Sequence, residues 1–316
     1  MEHSTEKISE VLEVYLRKNQ RLKSATRYRR RYIWGLLIEA TNDMDISEFG
    51  YNDAEDFQEW LYGRNLAPSS IKSYIKATQA MMRWCWKRGY REGDPFEELQ
   101  KPRVPKQEIR CYSEFEISDL LVAAPNDMIR ARIMTAVTAG LRDGEIKNLT
   151  ISDVNFEKGY ISVQSKKETP ETWAWSAKNY QTRRVPLTEE NSRLITKVIS
   201  ELPPRQPYFM ITADRYWWLQ QLRKKGEMPD RVRGCPDEND RPWRRILDVT
   251  GIHGTFHDLR RTCITRWSWQ LPVQEVRKLA GHADIKTTLE YYTAVRPDVL
   301  NIARRIGATG LEPATS

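Results

Sequence analysis

Two tyrosines, Tyr291 and Tyr292, stand side by side in GHADIKTTLEYYTA, where a phenol is either packing material or a nucleophile. Adjacent side chains on a helix diverge by about 100°, so the two hydroxyls cannot serve one site together. One attacks and the other packs. The segment HDLRR supplies His257 and Arg260, three positions apart and therefore on one helical face. A guanidinium fork can hold two nonbridging phosphate oxygens, and an imidazole beside it can move a proton or donate a hydrogen bond. Arg142 follows a helix-ending glycine in TAGLRDGE, and His282 follows another, Gly281. Taken singly, the arginines are more often surface salt-bridge elements than catalytic groups, and His282 is usually a capping or satisfied interior residue. Taken together they suit attack by a phenol on an anionic phosphodiester, with Arg142 and Arg260 neutralising charge on the phosphorus oxygens in the transition state. The product is a phosphotyrosyl ester that keeps the bond energy, so another hydroxyl can reverse the step. Neither ATP nor metal is required, and the sequence holds no P-loop glycine pattern and no carboxylate cluster suited to two-metal catalysis. No cofactor and no metal are expected.

The elements that must position these residues fall into two groups. In the first hundred residues Ile8, Val11, Leu12, Tyr15 and Leu16 form an apolar helical stripe, Asn52 with Glu55 suggests a capping box before Phe57 and Leu61, and a helix runs from Pro68 to Gly89. This is a small helical domain over 1–95. DPFEELQKPRVPKQEIR, with three prolines, reads as a linker over 96–108. Beyond it, Ser113 and Glu116 open a helix, residues 126–139 form another ending at Gly140, and YISVQ (160–164) and TRRVPL (182–187) carry strand signals. Helices return from about residue 188, so the second domain, 109–310, is mostly helical with a small antiparallel sheet, and 311–316 reads as a frayed tail.

Charge points to a polyanionic partner. Lysine and arginine number 51 against 43 acidic residues, a net of +8. The run KSATRYRRR concentrates Lys23, Arg27, Arg29, Arg30 and Arg31 beside Tyr28, Tyr32, Ile33, Leu36 and Leu37, a helix that buries one face and offers arginines to phosphates. A solvated basic face explains the same run equally well. The four cysteines are widely spaced and read as reduced thiols, and no stretch is long and apolar enough for a membrane span. With an acidic, amphipathic start in place of a secretory leader, a cytoplasmic location is expected. The seven tryptophans at 173, 175, 217, 218, 243, 267 and 269 read as core packing in preference to base stacking.

In their order, TAGLRDGEIKNL, HDLRRTCITRW and LAGHADIKTTLEYYTAV make the chain resemble the tyrosine recombinases, the phage integrase and Xer type of site-specific recombinase. The resemblance covers nearly the whole chain. It implies a helical core-binding domain and a mixed catalytic domain that close on duplex DNA as a C-shaped clamp, with a tetramer of the chain acting on two DNA sites. It also moves the basic helix toward DNA contact. The implied activity is cleavage and rejoining of duplex DNA at specific sites through a 3′-phosphotyrosyl intermediate. A type IB topoisomerase, which reseals the same strand, and a DNA-binding protein whose site has decayed are the alternatives.

The resemblance assigns a hairpin lysine as the acid that protonates the leaving 5′ oxygen, and Lys166 at the end of the first strand matches it. Lys167 and Lys178 are neighbouring candidates, and the connection is longer than the family's tight turn. His257 and His282 become phosphate hydrogen-bond donors and proton managers, and Glu145 a buttress. For the nucleophile, a spacing of nine residues after His282 selects Tyr291, whereas matching the segment that follows selects Tyr292. Tyr292 is the expectation and Tyr291 the alternative. The last apolar helix, DVLNIARRIG, is expected to exchange between subunits.

Overall fold

The computed structural model describes residues 6–22, 24–105, 108–177, 182–227 and 237–292. Lys23, Lys178, Cys235, the DVLNIARRIG segment and the tail at 311–316 lie outside them. The chain divides into two compact units, Met1–Gln107 and Glu108–Ser316.

The first unit is built from α1 (Ile8–Lys18), α2 (Ser24–Ala40), α3 (Tyr51–Gly63) and α4 (Pro68–Trp86). The stripe on α1 is buried throughout, against Ile33, Trp34 and Leu37 of α2, Phe57 of α3 and Ile71 and Ile75 of α4. Two expectations are corrected. The cap of α3 is Gly50, whose N–H donates to Asp53 Oδ2 at 2.7 Å, because the helix starts at Tyr51, ahead of the expected Asn52 and Glu55 pair. On α2, Tyr28 and Tyr32 are 59% and 50% exposed, and the buried aromatic is Trp34. The helix turns its indole inward and its phenols, which tolerate water at their tips, outward. The region expected as linker begins inside this core, since Phe96 and Leu99 are buried there and Phe96 stacks on Phe49.

The second unit is organised around α6 (Asp127–Ala139), which packs between α8 (Glu189–Ser200) and α11 (Phe256–Ser268) and is buried on nearly every face. Even Arg132 is fully buried, with its Nε donating to the Met210 carbonyl at 2.7 Å. The Ser113–Glu116 capping box opens α5 (Glu114–Val122) as the sequence indicates. The sheet is antiparallel in the order β1 (Val154–Asn155), β2 (Tyr160–Val163), β3 (Arg183–Pro186), with Ile161 opposite Val185. Alternation sends Ile161, Val163 and Val185 into the core. The remaining elements are α7 (Asp143–Ile146), α9 (Ala213–Lys224), α10 (Asp237–Thr250), α12 (Val273–Ala280) and α13 (Ile285–Tyr292). Trp173 and Trp243 are buried as expected, but Trp217 and Trp218 on α9 are each 42% exposed, with Arg215 lying over the Trp218 ring. Among the described residues no helix is long and apolar enough to cross a membrane.

Candidate active site

Two helices end on left-handed glycines, and those ends gather the arginines. Gly140 closes α6 at φ 61° and Gly281 closes α12 at φ 62°. A helix C-terminus leaves carbonyls without intrahelical donors and carries partial negative charge, so it is a natural seat for a guanidinium. Arg260, on α11 and 2% exposed, donates to the carbonyls of Gly140 and Ala280. Arg142 donates to the Gly281 carbonyl at 3.2 Å, and Arg183 on β3 donates from Nε to the Leu279 carbonyl at 2.9 Å. Neither glycine can acquire a side chain freely. A Cβ at Gly140 meets the Trp267 ring at 3.1 Å, and one at Gly281 meets Arg183 at 3.1 Å.

One carboxylate completes the cluster. Glu145, in the first turn of α7, accepts from Arg142 at 2.8 Å and from both terminal nitrogens of Arg183 at 3.0 and 2.6 Å, with Arg260 at 3.9 Å. Burial alone would raise the Glu145 pKa, but the Arg183 hydrogen bonds and the charges of Arg183 and Arg142 hold it down to about 2. Burial and the nearby Arg142 charge lower Arg260 to about 9, still cationic at neutral pH. Three guanidinium charges against one carboxylate leave two positive charges in one place, with Arg142 the most accessible of the three at 24%. Such a site accepts an anion readily. Partial desolvation and the fields of Arg260 and Arg261 lower the His257 pKa, so its imidazole is neutral at neutral pH although the residue reaches the surface.

The tyrosines part company here. Tyr291 is buried, its ring stacked on His282 at 5.8 Å between centroids. Burial raises its pKa while Arg260 and Arg261 pull it down. Tyr292 instead donates its hydroxyl to the Leu271 carbonyl at 2.5 Å, and desolvation alone raises it. His282 is held by Thr288, whose Oγ1 is 3.0 Å from Nδ1.

A model of the phage integrase family matches residues 111–298, more than half of the chain. The chain belongs to that family. As a tyrosine recombinase it cleaves and rejoins DNA, and the arginine cluster with its neighbouring tyrosines lies inside the matched span. Among relatives, tyrosine recombinase XerA of Pyrococcus furiosus is 28% identical over 258 residues, covering 78% of this chain and 79% of XerA. The fold of the Tn1549 transposon integrase in complex with a circular intermediate DNA superposes with a TM-score of 0.72, covering 94% of this chain and 98% of that one at 16% identity. A lambda integrase tetramer bound to a Holliday junction gives 0.67, covering 93% and 81% at 14% identity.

Contacts tie Arg142 and Arg260 to Glu145 and to the end of α12, His282 just beyond that end stacks on Tyr291, and the charges of Arg260 and Arg142 also act on His257. Lys166 stands apart. Its ammonium pairs with Asp153, and both side chains are nearly buried. The sequence did not single out Arg183 or Asp153, which the fold pairs with Glu145 and Lys166. Arg183 carried a usable signal: two positions before the inward Val185, it must share that buried face, where a charge needs a partner. In the first unit, Arg29 donates to Ser73, Arg30 to the Ala77 carbonyl and Arg31 to Glu13, while Arg27 Nε is buried with no hydrogen-bond partner among the described residues. Among the described residues no grouping of three or more His, Cys, Asp or Glu side chains could hold a metal ion.

Proposed function

We propose that this site-specific DNA recombinase attacks the scissile phosphate with Tyr291, revising the expectation of Tyr292. The observation that carries the reading is the pairing of Tyr291 with His282 beside Arg260, against a Tyr292 hydroxyl occupied by a backbone carbonyl. Arg142 and Arg260 neutralise the nonbridging oxygens, with Arg183 and Glu145 fixing their orientation. His257, neutral before reaction, and His282 donate hydrogen bonds to the phosphate and manage the phenolic proton. Lys166 protonates the leaving 5′ oxygen.

Double-stranded DNA is the substrate, bound by the catalytic unit and by the arginines of α2, with Lys23 assigned to the same surface. The chain works as a tetramer on two sites, an assembly carried over from the lambda integrase tetramer. Its last apolar segment serves as the exchanged element, and the cytoplasm is the compartment. Incubation with a nicked random-sequence duplex library traps covalent protein on DNA, and sequencing the adducts yields the target. Tyr291→Phe is expected to abolish the adduct while Tyr292→Phe retains it. Adduct formed by Tyr291→Phe and lost in Tyr292→Phe would overturn the assignment.

A further inference from the structure

Lys166 sits on a fixed backbone. Its N–H donates to the Trp175 carbonyl at 2.7 Å and its carbonyl accepts from the Trp175 N–H at 3.1 Å, an isolated antiparallel bridge beyond β2. The return strand is anchored in turn: the Trp173 ring stacks on Tyr208 at 3.9 Å and its Nε1 donates to Asn148 at 2.9 Å. From α9, Arg223 binds Glu168 at 2.9 Å and the Thr172 carbonyl at 3.2 Å, and Tyr216 donates to the Glu171 carbonyl at 3.0 Å. Residues 166–175 of the lengthened connection are therefore buttressed. Movement of the ammonium falls to the Lys166 side chain.

The partner it leaves is equally well prepared. Asp153 Oδ2 accepts from the Thr150 N–H and hydroxyl, both at 2.7 Å, and Oδ1 accepts from Gln164 at 3.2 Å. A buried ion pair is costly to break when one charge is left bare. Here three neutral donors remain on the carboxylate after the ammonium departs, so the departure is far less costly. The turn at Thr150 needs only the carboxylate as its cap, and the ammonium adds nothing to that role.

We propose that Asp153 is a positioning residue for strand cleavage, docking the Lys166 ammonium at rest and releasing it to the leaving 5′ oxygen when a phosphodiester competes for the charge. The inference rests on the reading of Lys166 as the general acid. As the tyrosyl oxygen bonds to phosphorus and the P–O5′ bond breaks, the proton on Lys166 Nζ passes to O5′. The phenolic proton goes to a neighbouring imidazole, and the neutral amine returns to Asp153 and takes a proton from water.

The test is single-turnover cleavage of a nicked duplex, built on the trapped target, with either oxygen or sulfur bridging at the 5′ position. A thiolate leaves without being protonated, so sulfur bypasses the acid. Lys166→Ala is expected to lose roughly 10²-fold or more on oxygen and to recover on sulfur. Asp153→Asn should show the same pattern at about tenfold or more on oxygen, with sulfur cleavage within about threefold of the parent. Asp153→Glu keeps the charge but displaces it, and should give a smaller, sulfur-rescued defect that stands even if the asparagine variant folds poorly. Thr150→Val removes one of the three neutral donors that remain on the carboxylate, so it too should slow cleavage of the oxygen substrate, by less than the Asp153 variants, and recover on sulfur. Equal losses on both substrates, or parental rates, for the Asp153 variants overturn the proposal. If sulfur fails to rescue Lys166→Ala, the acid assignment falls and the inference with it, a result distinct from failure at Asp153 alone.

Discussion

Glu145 shows how much one residue carries when, among the described residues, it is the carboxylate shared by three guanidiniums. Its removal leaves Arg183, 8% exposed, and Arg260, 2% exposed, without their counter-charge. Breaking a buried pair by deleting one partner typically costs about 3–5 kcal/mol. Glu145→Gln, which keeps shape and loses charge, is therefore expected to lower stability by about that amount in a denaturant melt, and to reduce cleavage further because Arg142 and Arg183 lose their shared anchor. The pH dependence follows from the depressed pKa. A carboxylate moved from 4.5 to about 2 contributes stability that is whole above the unfolded value and is lost as pH falls through the folded one. Melting at successive pH values should show the parent losing about 3 kcal/mol from this group between roughly pH 4.5 and 2, a loss absent from the glutamine variant. Identical acid profiles would show that Glu145 is not held by the arginines.

At the level of elements, the site is made from helix ends. The ends of α6 and α12 supply carbonyls for all three arginines, and both depend on a left-handed glycine. Gly140→Ala combines an unfavourable φ, worth about 1–2 kcal/mol, with a Cβ pressed on Trp267. It should depress cleavage more than DNA binding, because the displaced carbonyl holds Arg260. Gly89→Ala has a comparable φ of 76° and nothing within 4 Å, so it reports the backbone cost alone. Equal effects of the two on cleavage would discount the carbonyl seat. These glycines were legible in the sequence, as were the Ser113 cap, the α1 stripe and the order of Arg142, His257, Arg260 and His282, because each rests on local spacing. What escaped rests on tertiary contact. The strand β1 spans two residues, too few for a period, and Phe96 and Leu99 lie in a proline-rich stretch whose burial only the folded core of α1 to α4 creates. The different surroundings of Tyr291 and Tyr292 escaped for the same reason, since adjacent positions share one local sequence and differ only in what they face.

For the molecule as a whole, two units of different construction must meet one polyanion, and the net charge of +8 is spread over both. In the proposed mechanism the arginine cluster of the second unit serves a single phosphate, so affinity along the rest of the duplex has to come from other surfaces. On α2, Arg29 is exposed and hydrogen-bonded only to a serine hydroxyl among its described contacts, and Tyr28 and Tyr32 flank it in water. Cations without carboxylate partners exchange small counterions for phosphates at little cost, and each such contact adds about 0.9 to the steepness of the log affinity against log salt plot. Arg31, already paired with Glu13, contributes less. Replacing Arg27 and Arg29 together by glutamine is thus expected to reduce that slope by about 2 and to weaken binding alike for target and unrelated duplexes. Cleavage at saturating protein should stay near the parental rate, since the substitutions leave the arginine cluster around Glu145 unchanged. A slope that does not change, measured by titration across a range of salt concentrations, would mean that α2 faces away from the DNA and that its basic run is a solvated surface.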